Sequence, residues 1–355
     1  MVGGADHNFI MKKYISLVLV IFIRAIAQKS INKVHVPFLR SRRTTSLSSL
    51  KILAKRGGAT HNNDQNRLPT YEVSVCAVQG ARPYMEDEWF ISQNKDFLAV
   101  FDGHGGEAVS RYLRQNLYAN LQAALPMRNN NTTITTIDYQ EALKKGLDKV
   151  DREVQRISHW SYQGSTAVAA WIHHDEDNKV STLVVANIGD SRAILSVDSM
   201  PIALTQDHKP DKPKEKKRIE TNGGSVIWCG KVDKDGNPIR YSGVYRVNGN
   251  LALARAIGDR SERPAISAEP DFTVVNIDST AQFVLLATDG LWDVMTSKEV
   301  VSLVEKQLSH HKKENGGELS ELRKKMASFV VAEALRRGTA DNVTVVILWL
   351  ASANR

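Results

Sequence analysis

The chain has 355 residues, 42% hydrophobic and 24% charged, an ordinary balance for a soluble globular protein able to bury a sizeable core. Its two cysteines, Cys76 and Cys229, exclude a disulfide framework and sit in no CxxC or other metal-ligand spacing, so both are expected as buried free thiols. The formal charge of +8 does not call for nucleic acid: residues 1–63 hold eleven Lys or Arg against one acid, Asp6, which leaves 36 basic and 38 acidic residues in 64–355, a net −2.

At the N-terminus Lys12-Lys13 precedes an apolar run, Tyr14 to Ile23, followed by Arg24 and Ala25-Ile26-Ala27, the layout of a secretory signal peptide. The run is shorter than the about 20 apolar residues that span a bilayer core. Residues 28–63 are rich in Arg, Lys and Ser and lack acids, as organellar transit peptides do. Both signals together suit a plastid reached through the endomembrane route, and the second alone suits a mitochondrion. A cytoplasmic-side membrane anchor, or no address at all, is the alternative, and membrane contact is expected only through this segment if it is not cleaved. Residues 57–69 read as a polar linker. The expected organisation is a largely disordered leader and linker over 1–63 and a folded domain over 70–351.

Along the body, β-branched apolar runs predict buried strands at Tyr71 to Val78, Phe97 to Phe101, Thr166 to Ile172, Thr182 to Ile188, Phe283 to Thr288 and Val343 to Leu350. Apolar residues at helical spacing predict helices over Glu107 to Ala124, Glu141 to Ile157, Glu299 to Leu308 and Leu319 to Arg337. Arg128 to Asp138 reads as a polar surface loop. Lys212 to Arg218 reads as a short basic helix, with Asp211 as N-cap and Gly223 just past its end; it is either a solvated face or a rim that attracts acidic phosphosubstrates. No internal repeat is visible, and the element order is neither βαβα nor all-β. An α+β sandwich with helices covering sheets fits it.

Acidic residues repeatedly end the hydrophobic runs. Asp102 follows FLAVF and opens DGHGG, Asp289 follows FVLLAT and opens DGLWD, and Asp190 follows LVVANIG and opens DSR. A strand end is rigid and delivers its side chain into a cleft, and a carboxylate buried there needs a cation or a donor. Glycine after Asp102 lets the Gly103 carbonyl approach a ligand beside the carboxylate. With Glu86, Asp87 and Asp341 there are six carboxylates and no His/Cys cluster, a donor set that selects Mg2+, Mn2+ or Ca2+ over zinc. A binuclear hard-metal site explains this order. Each piece alone is weak, since a single Asp-Gly is more often a turn.

In this order GARPYMED (Gly80 to Asp87), FDGHGG (Phe101 to Gly106), QGSTA (Gln163 to Ala167), NIGDSRA (Asn187 to Ala193), LTQDHKP (Leu204 to Pro210), LARAIGD (Leu253 to Asp259), ATDGLWDV (Ala287 to Val294) and TADNVT (Thr339 to Thr344) resemble the type 2C metal-dependent serine/threonine protein phosphatases. The resemblance runs from about Tyr71 to Leu350 and implies a four-layer αββα sandwich, with two antiparallel sheets inside and the metals at one end. It implies two Mg2+ or Mn2+ ions held by Asp102, Asp289 and Asp341, with Asp102 shared and the Gly103 carbonyl contributing. Glu86 and Asp87 are implied as ligands through water or to the second ion, and Asp190 and Asp293 at a third, weaker site. Arg82 is implied as the phosphate binder, where a guanidinium fork suits two phosphate oxygens and a structural ion pair is the alternative. His104 is implied as the proton donor to the leaving alkoxide, a structural histidine being the alternative.

The implied reaction is hydrolysis of phosphoserine and phosphothreonine in proteins by a metal-activated water, by a monomer, with no nucleic-acid partner. Cys76 and Arg82 formally fit Cx5R, but the segment reads as a strand with one glycine, which disfavours a cysteine phosphatase. Gly230 to Asn250 reads as a turn-rich flap where substrate preference could be set. A catalytically silent phosphoprotein-binding module of the same fold is the competing reading, and it would lack metal ligands. A calcium-binding structural protein is the other, without an EF-hand pattern to favour it.

Overall fold

Each of the six apolar runs forms a strand in the computed structural model, which describes residues 71–127, 133–174, 181–239, 241–315 and 319–350. The expectations for the leader, the linker and the start of the domain at 70 lie outside the described residues. In chain order the strands are β1 (Glu72–Val78), β2 (Glu88–Ile91), β3 (Phe97–Phe101), β4 (Gly103–His104), β5 (Gly164–Ser165), β6 (Ala167–His174), β7 (Ser181–Ile188) and β8 (Arg192–Val197). Next come β9 (Met200–Ala203), β10 (Val226–Cys229), β11 (Val244–Val247), β12 (Ile257–Gly258), β13 (Asp271–Ile277), β14 (Ala281–Ala287) and β15 (Val343–Trp349). The helices are α1 (Ala108–Ala124), α2 (Thr136–Gln155), α3 (Pro213–Thr221), α4 (Asp289–Trp292), α5 (Ser297–Asn315) and α6 (Ser320–Arg336).

Two antiparallel five-stranded sheets, ordered β1-β15-β14-β8-β9 and β13-β7-β6-β3-β2, form the centre. Because side chains alternate along a strand, each strand supplies two cores. Leu98, Val100, Val168 and Val185 of one sheet meet Val284, Leu286, Val346 and Leu348 of the other, filling the space between the sheets. The intervening residues Phe97, Phe101, Ala169 and Val184 pack outward on Leu113, Leu117, Leu147 and Val150 of α1 and α2. On the opposite side Phe283, Leu285, Val345 and Ile347 pack on Val300, Val304, Met326 and Val330 of α5 and α6. The layers therefore run αββα, and burial on both faces is why the strands read as unbroken apolar runs.

Local chemistry moves several boundaries. α2 begins before the expected Glu141, because Thr135 and Asp138 form a capping box in which each side chain accepts from the other's backbone N–H. The end of the expected polar loop, from Thr136 to Asp138, is thus helical. α3 is capped at Lys212 rather than Asp211, since Pro213 occupies the first helical position, and it runs on to Thr221. One face of α3 is anchored: Glu215 and Ile219 are buried, and Arg218 donates to the carbonyls of Ala254 and Ala265. The cysteines are free but only half-buried, against the expectation of full burial. Cys76 lies in β1 opposite Val345 and packs on the core beneath α6, with its thiol pushed up by burial. Among the described residues no helix is long and apolar enough to cross a membrane.

Between β9 and α3 a buried polar network ties loop to sheet. Arg255 and Glu215, each 3% exposed, pair at 2.5 Å, and Arg255 Nη1 donates to Asp271 at 2.9 Å. His208 Nδ1 accepts from the Gly189 N–H at 3.0 Å, so the ring proton sits on Nε2 and faces Asp271 Oδ2 at 3.2 Å. Partial burial would raise the Asp271 carboxyl, but hydrogen bonds from His208 and Arg255 bring it down to about 2. A carboxyl lowered on folding stabilises the fold above its unfolded value and loses that contribution as pH falls through the folded one. Asp271→Asn is accordingly expected to lower the melting temperature by an amount that is full above about pH 4 and shrinks toward pH 2. Thermal melts of both proteins across that range measure it; a deficit independent of pH would contradict the assignment.

Candidate active site

The carboxylates converge at one end of the sandwich, where strands of both sheets stop. β3 ends at Phe101 and delivers Asp102, whose backbone is pinned to Thr166: Asp102 N–H donates to Thr166 Oγ1 at 3.0 Å and Thr166 N–H donates back to Asp102 O at 2.9 Å. β7 runs out into Gly189-Asp190, β14 leads through Thr288 into Asp289 at the first turn of α4, and Asp341 lies two residues before β15. Gly103 is required by a close approach. A Cβ there would lie 2.5 Å from the Glu86 carbonyl oxygen and 2.7 Å from Ser110 Oγ.

The GARPYMED segment is held against this end by Asn342. Its side-chain oxygen accepts from the Glu86 N–H at 2.7 Å, and its amide donates to the carbonyls of Gln79 and Tyr84 at 2.8 and 3.0 Å. A cavity of about 270 Å³ results, lined by Arg82, Glu86, Asp102, Gly103, His104, Asp190, Asp289 and Asp341. Eight of the ten residues singled out in the sequence thus share one cavity. Asp293 lines an adjoining outer cleft with Lys209. Asp87 lies beneath, 5% exposed, with both Thr288 and Thr344 hydroxyls donating to its Oδ2 at 2.9 and 2.8 Å.

Electrostatics set the character of the cavity. Burial pushes Asp102 well above the usual carboxylate range, and the charges of Asp289, Asp87, Asp190 and Asp341 push it further. Asp289 is raised in the same way, by burial and then by Asp190, with Lys209 opposing. Asp87 is pushed up to about 7, chiefly by burial, despite its threonine partners. Asp293 is raised by burial, against Lys209. Lys209 Nζ stands 2.5 Å from Asp190 and 4.0 Å from Asp289, and Arg82 donates to Asp341 at 2.6 Å. The ion pair considered for Arg82 therefore exists, on a side chain that is 53% exposed and keeps its other N–H groups.

Eight carboxylates, counting Asp211 in the outer cleft and Asp87 beneath, meet three cationic side chains here, Arg82, Lys209 and Arg246. The all-oxygen donor set and the uncompensated charge fit divalent hard cations. Among the described residues, however, no three His, Cys, Asp or Glu side chains are already drawn together as a ligand cluster. The repulsion that raises the carboxyls also favours keeping them apart.

Sequence reasoning leaves three neighbours without a role. Lys209, in LTQDHKP, supplies the charge nearest Asp190. Arg246, on β11, lines both cavities, and the alternation of YRV is its only signal. Asp259, the last residue of LARAIGD, is 1% exposed and accepts from His104 Nε2 at 2.9 and 2.8 Å. Burial would lower the His104 imidazole, but the charge and hydrogen bond of Asp259 raise it overall. The segment expected as a flap, Gly230 to Asn250, contains β11 but not its partner β10, which precedes it; Trp228 of β10 stands edge-on to Tyr245 of β11 at 5.1 Å, and both line the outer cleft of about 620 Å³.

The family model described as Protein phosphatase 2C matches residues 71–343. The chain is 35% identical to probable protein phosphatase 2C 69 of Arabidopsis thaliana, covering 83% of this chain and 73% of that one. It is 33% identical to probable protein phosphatase 2C member 13, mitochondrial, of Oryza sativa subsp. japonica, over 78% of this chain and 68% of that one. Among solved structures it resembles a sex determining protein of C. elegans, with a TM-score of 0.66 and 30% identity over 81% of this chain and 67% of that one. A serine-threonine phosphatase 2C from Toxoplasma gondii shares the fold, with a TM-score of 0.59 and 23% identity over 80% of this chain and 96% of that one.

A cavity built this way should respond to cations and to neutralisation. At neutral pH and in chelator, Asp102→Asn is expected to raise the melting temperature, because a carboxyl raised on folding destabilises above its unfolded value. Mn2+ should stabilise the unaltered protein by roughly 2.7 kcal/mol at a hundred-fold excess over Kd, raising its melting temperature, and should do so far less for the variant. Equal Mn2+ responses would contradict the role of Asp102.

Proposed function

Since the chain belongs to the protein phosphatase 2C family and is a protein serine/threonine phosphatase, we propose that it hydrolyses phosphoserine and phosphothreonine esters with water activated by two divalent cations. Mg2+ or Mn2+, on which the family depends, supplies when bound the Lewis acidity that polarises the phosphoryl group and makes water a competent nucleophile near neutral pH. Asp102, Asp289, Asp341 and the Gly103 carbonyl would hold the pair, with Asp102 common to both. Glu86 and Asp87 would act through water or on the second ion, and Asp190 and Asp293 would take a third, weaker ion. The observation that carries this reading is the convergence of Glu86, Asp102, Asp190, Asp289 and Asp341 on one cavity together with Arg82 and His104.

The chain's own side chains handle the substrate. Arg82, exposed at the mouth, uses one N–H on Asp341 and has others for the phosphoryl oxygens. His104, at the cavity wall and biased toward its charged form, gives its proton to the departing seryl or threonyl oxygen. Lys209 balances part of the charge on Asp190 without entering the reaction. A phosphocysteine route is disfavoured by position, since Cys76 lies half-buried on the edge strand β1, packed on the core beneath α6, and lines neither cavity. A silent binding module would be expected to lack ligands, and none of the implied set is missing from the chain.

Manganese-dependent release of phosphate from a phosphothreonine peptide tests the proposal. Asp102→Asn and Asp289→Asn should each remove nearly all turnover, while Cys76→Ser should leave it largely intact. Retained turnover in either aspartate variant, or its loss in Cys76→Ser with the fold preserved, would overturn the scheme.

We also propose that residues 1–63 direct the chain to an organelle. Their composition supports this, as does the word mitochondrial in the name of one rice relative. A fluorescent fusion of the full chain is expected to concentrate in an organelle, and one lacking residues 1–63 to lose that pattern. Identical distributions would refute it.

A further inference from the structure

The small antiparallel sheet β12-β5-β4 contains only six residues, too few to contribute much core. Its register nevertheless has one consequence at the site. Gly164 lies in the middle strand, opposite His104 on one side and Gly258 on the other. Asp259, the next residue, therefore emerges beside the imidazole, and the contact between them closes directly over Gly164. A Cβ on Gly164 would fall 2.1 Å from Asp259 Oδ2 and 2.6 Å from His104 Nε2. The glycine leaves room for the pair and for nothing else.

The segment that carries Asp259 is clamped from behind. The Gly258 N–H donates to Asp151 Oδ1 at 2.9 Å, Arg263 bridges that same oxygen at 2.7 Å to the Gly258 carbonyl at 3.0 Å, and Gln155 donates to the Gly258 carbonyl at 2.7 Å. Asp259 itself is held in a left-handed conformation, φ 47° and ψ 48°, and its N–H donates to the Gln163 carbonyl at 2.9 Å. Such a backbone costs free energy at a residue with a Cβ, so the surrounding contacts must fix it. The carboxylate is 1% exposed, and the cavity-lining residues do not include it.

We propose that Asp259 is the positioning residue for His104: by taking Nε2–H it fixes the ring and leaves Nδ1 as the nitrogen that protonates the leaving oxygen. The inference rests on His104 being the acid of the proposed reaction. In the step, the water oxygen forms a bond to phosphorus while the P–O bond to the seryl or threonyl oxygen breaks, its electron pair staying on that oxygen. The proton from Nδ1 moves to this oxygen, giving the alcohol. The imidazole, neutral and still donating Nε2–H to Asp259, regains a proton equivalent to the one that the attacking water releases. Asp259 neither gains nor loses a proton. It acts through His104 as a carboxylate orients an imidazole in other acid–base pairs.

The test compares two leaving groups on the full-length, Mn2+-loaded protein. An alkoxide needs a proton as it leaves, whereas p-nitrophenolate does not. Asp259→Asn, which preserves size and tolerates the left-handed backbone, is expected to lower kcat on a phosphothreonine peptide by about 10- to 100-fold, within the range of a lost general acid. On p-nitrophenyl phosphate the same variant should lose less than about 3-fold, the residue of an acid effect no longer required. Gly164→Ala, which wedges the pair apart, should show the same discrimination, and Asp259→Asn combined with His104→Gln should be no slower than His104→Gln alone. Melting temperatures and the Mn2+ dependence of melting identify any variant that has lost its fold. Equal losses on both substrates, or additive losses in the double variant, would overturn the role of Asp259. If His104→Gln itself affected both substrates equally, the assignment of His104 as the acid would fall, and the pair with it.

Discussion

Like charges crowded around one half-buried cavity are the constraint around which this molecule is built. Carboxylates placed there repel one another and lose part of their hydration, which holds Asp102 and Asp289 well above the ordinary range and raises Asp87 and Asp293 as well. Left to themselves they would move apart or bind protons. They stay because rigid elements deliver them: β3 carries Asp102, β14 leads to Asp289, and β15 begins just after Asp341. The three cores, one between the sheets and one beneath each helical layer, supply the stability against which that repulsion is held. The same unfavourable charge would favour a divalent cation placed among them.

The layout of the site depends on the sandwich being open at that end. Asp102 and Asp190 follow strands of one sheet and Asp289 and Asp341 flank strands of the other, so the cavity straddles both. Asn342 closes one side by binding three backbone groups of residues 79–86. On the other side the β10–β11 hairpin widens the cavity into an aromatic outer cleft. Arg82 and Arg246 line both spaces, and with them a phosphate in the inner cavity and its flanking chain in the outer one would meet guanidinium groups.

Much of this is readable in the residues because burial on both faces writes itself as a continuous apolar run. The run that predicts β3 has the strand's own bounds for that reason, and the run that predicts β15 differs by one residue at its end. Strands without that environment leave little trace. β2 and β9 are four-residue edges, and in β13 the polar or exposed positions Asp271, Thr273, Val274 and Asn276 obscure any simple apolar run. The carboxylates are legible through their position after apolar runs, but their partners are not. Asp259 lies 155 residues from His104, and only the pairing of β4 and β12 with β5 makes them neighbours. Lys209 stands within a motif, yet only the fold shows which acid it faces. The capping box at Thr135 is visible in TxxD form and is outweighed by the polar tract around it.

Anomalous diffraction from crystals soaked in Mn2+ shows whether these carboxylates hold a pair of cations. Two strong anomalous peaks are expected within the cavity, each touched by Asp102, with Asp289 and Asp341 among the remaining ligands. Peaks elsewhere on the surface, or a cavity that takes no Mn2+ at concentrations supporting turnover, would contradict it.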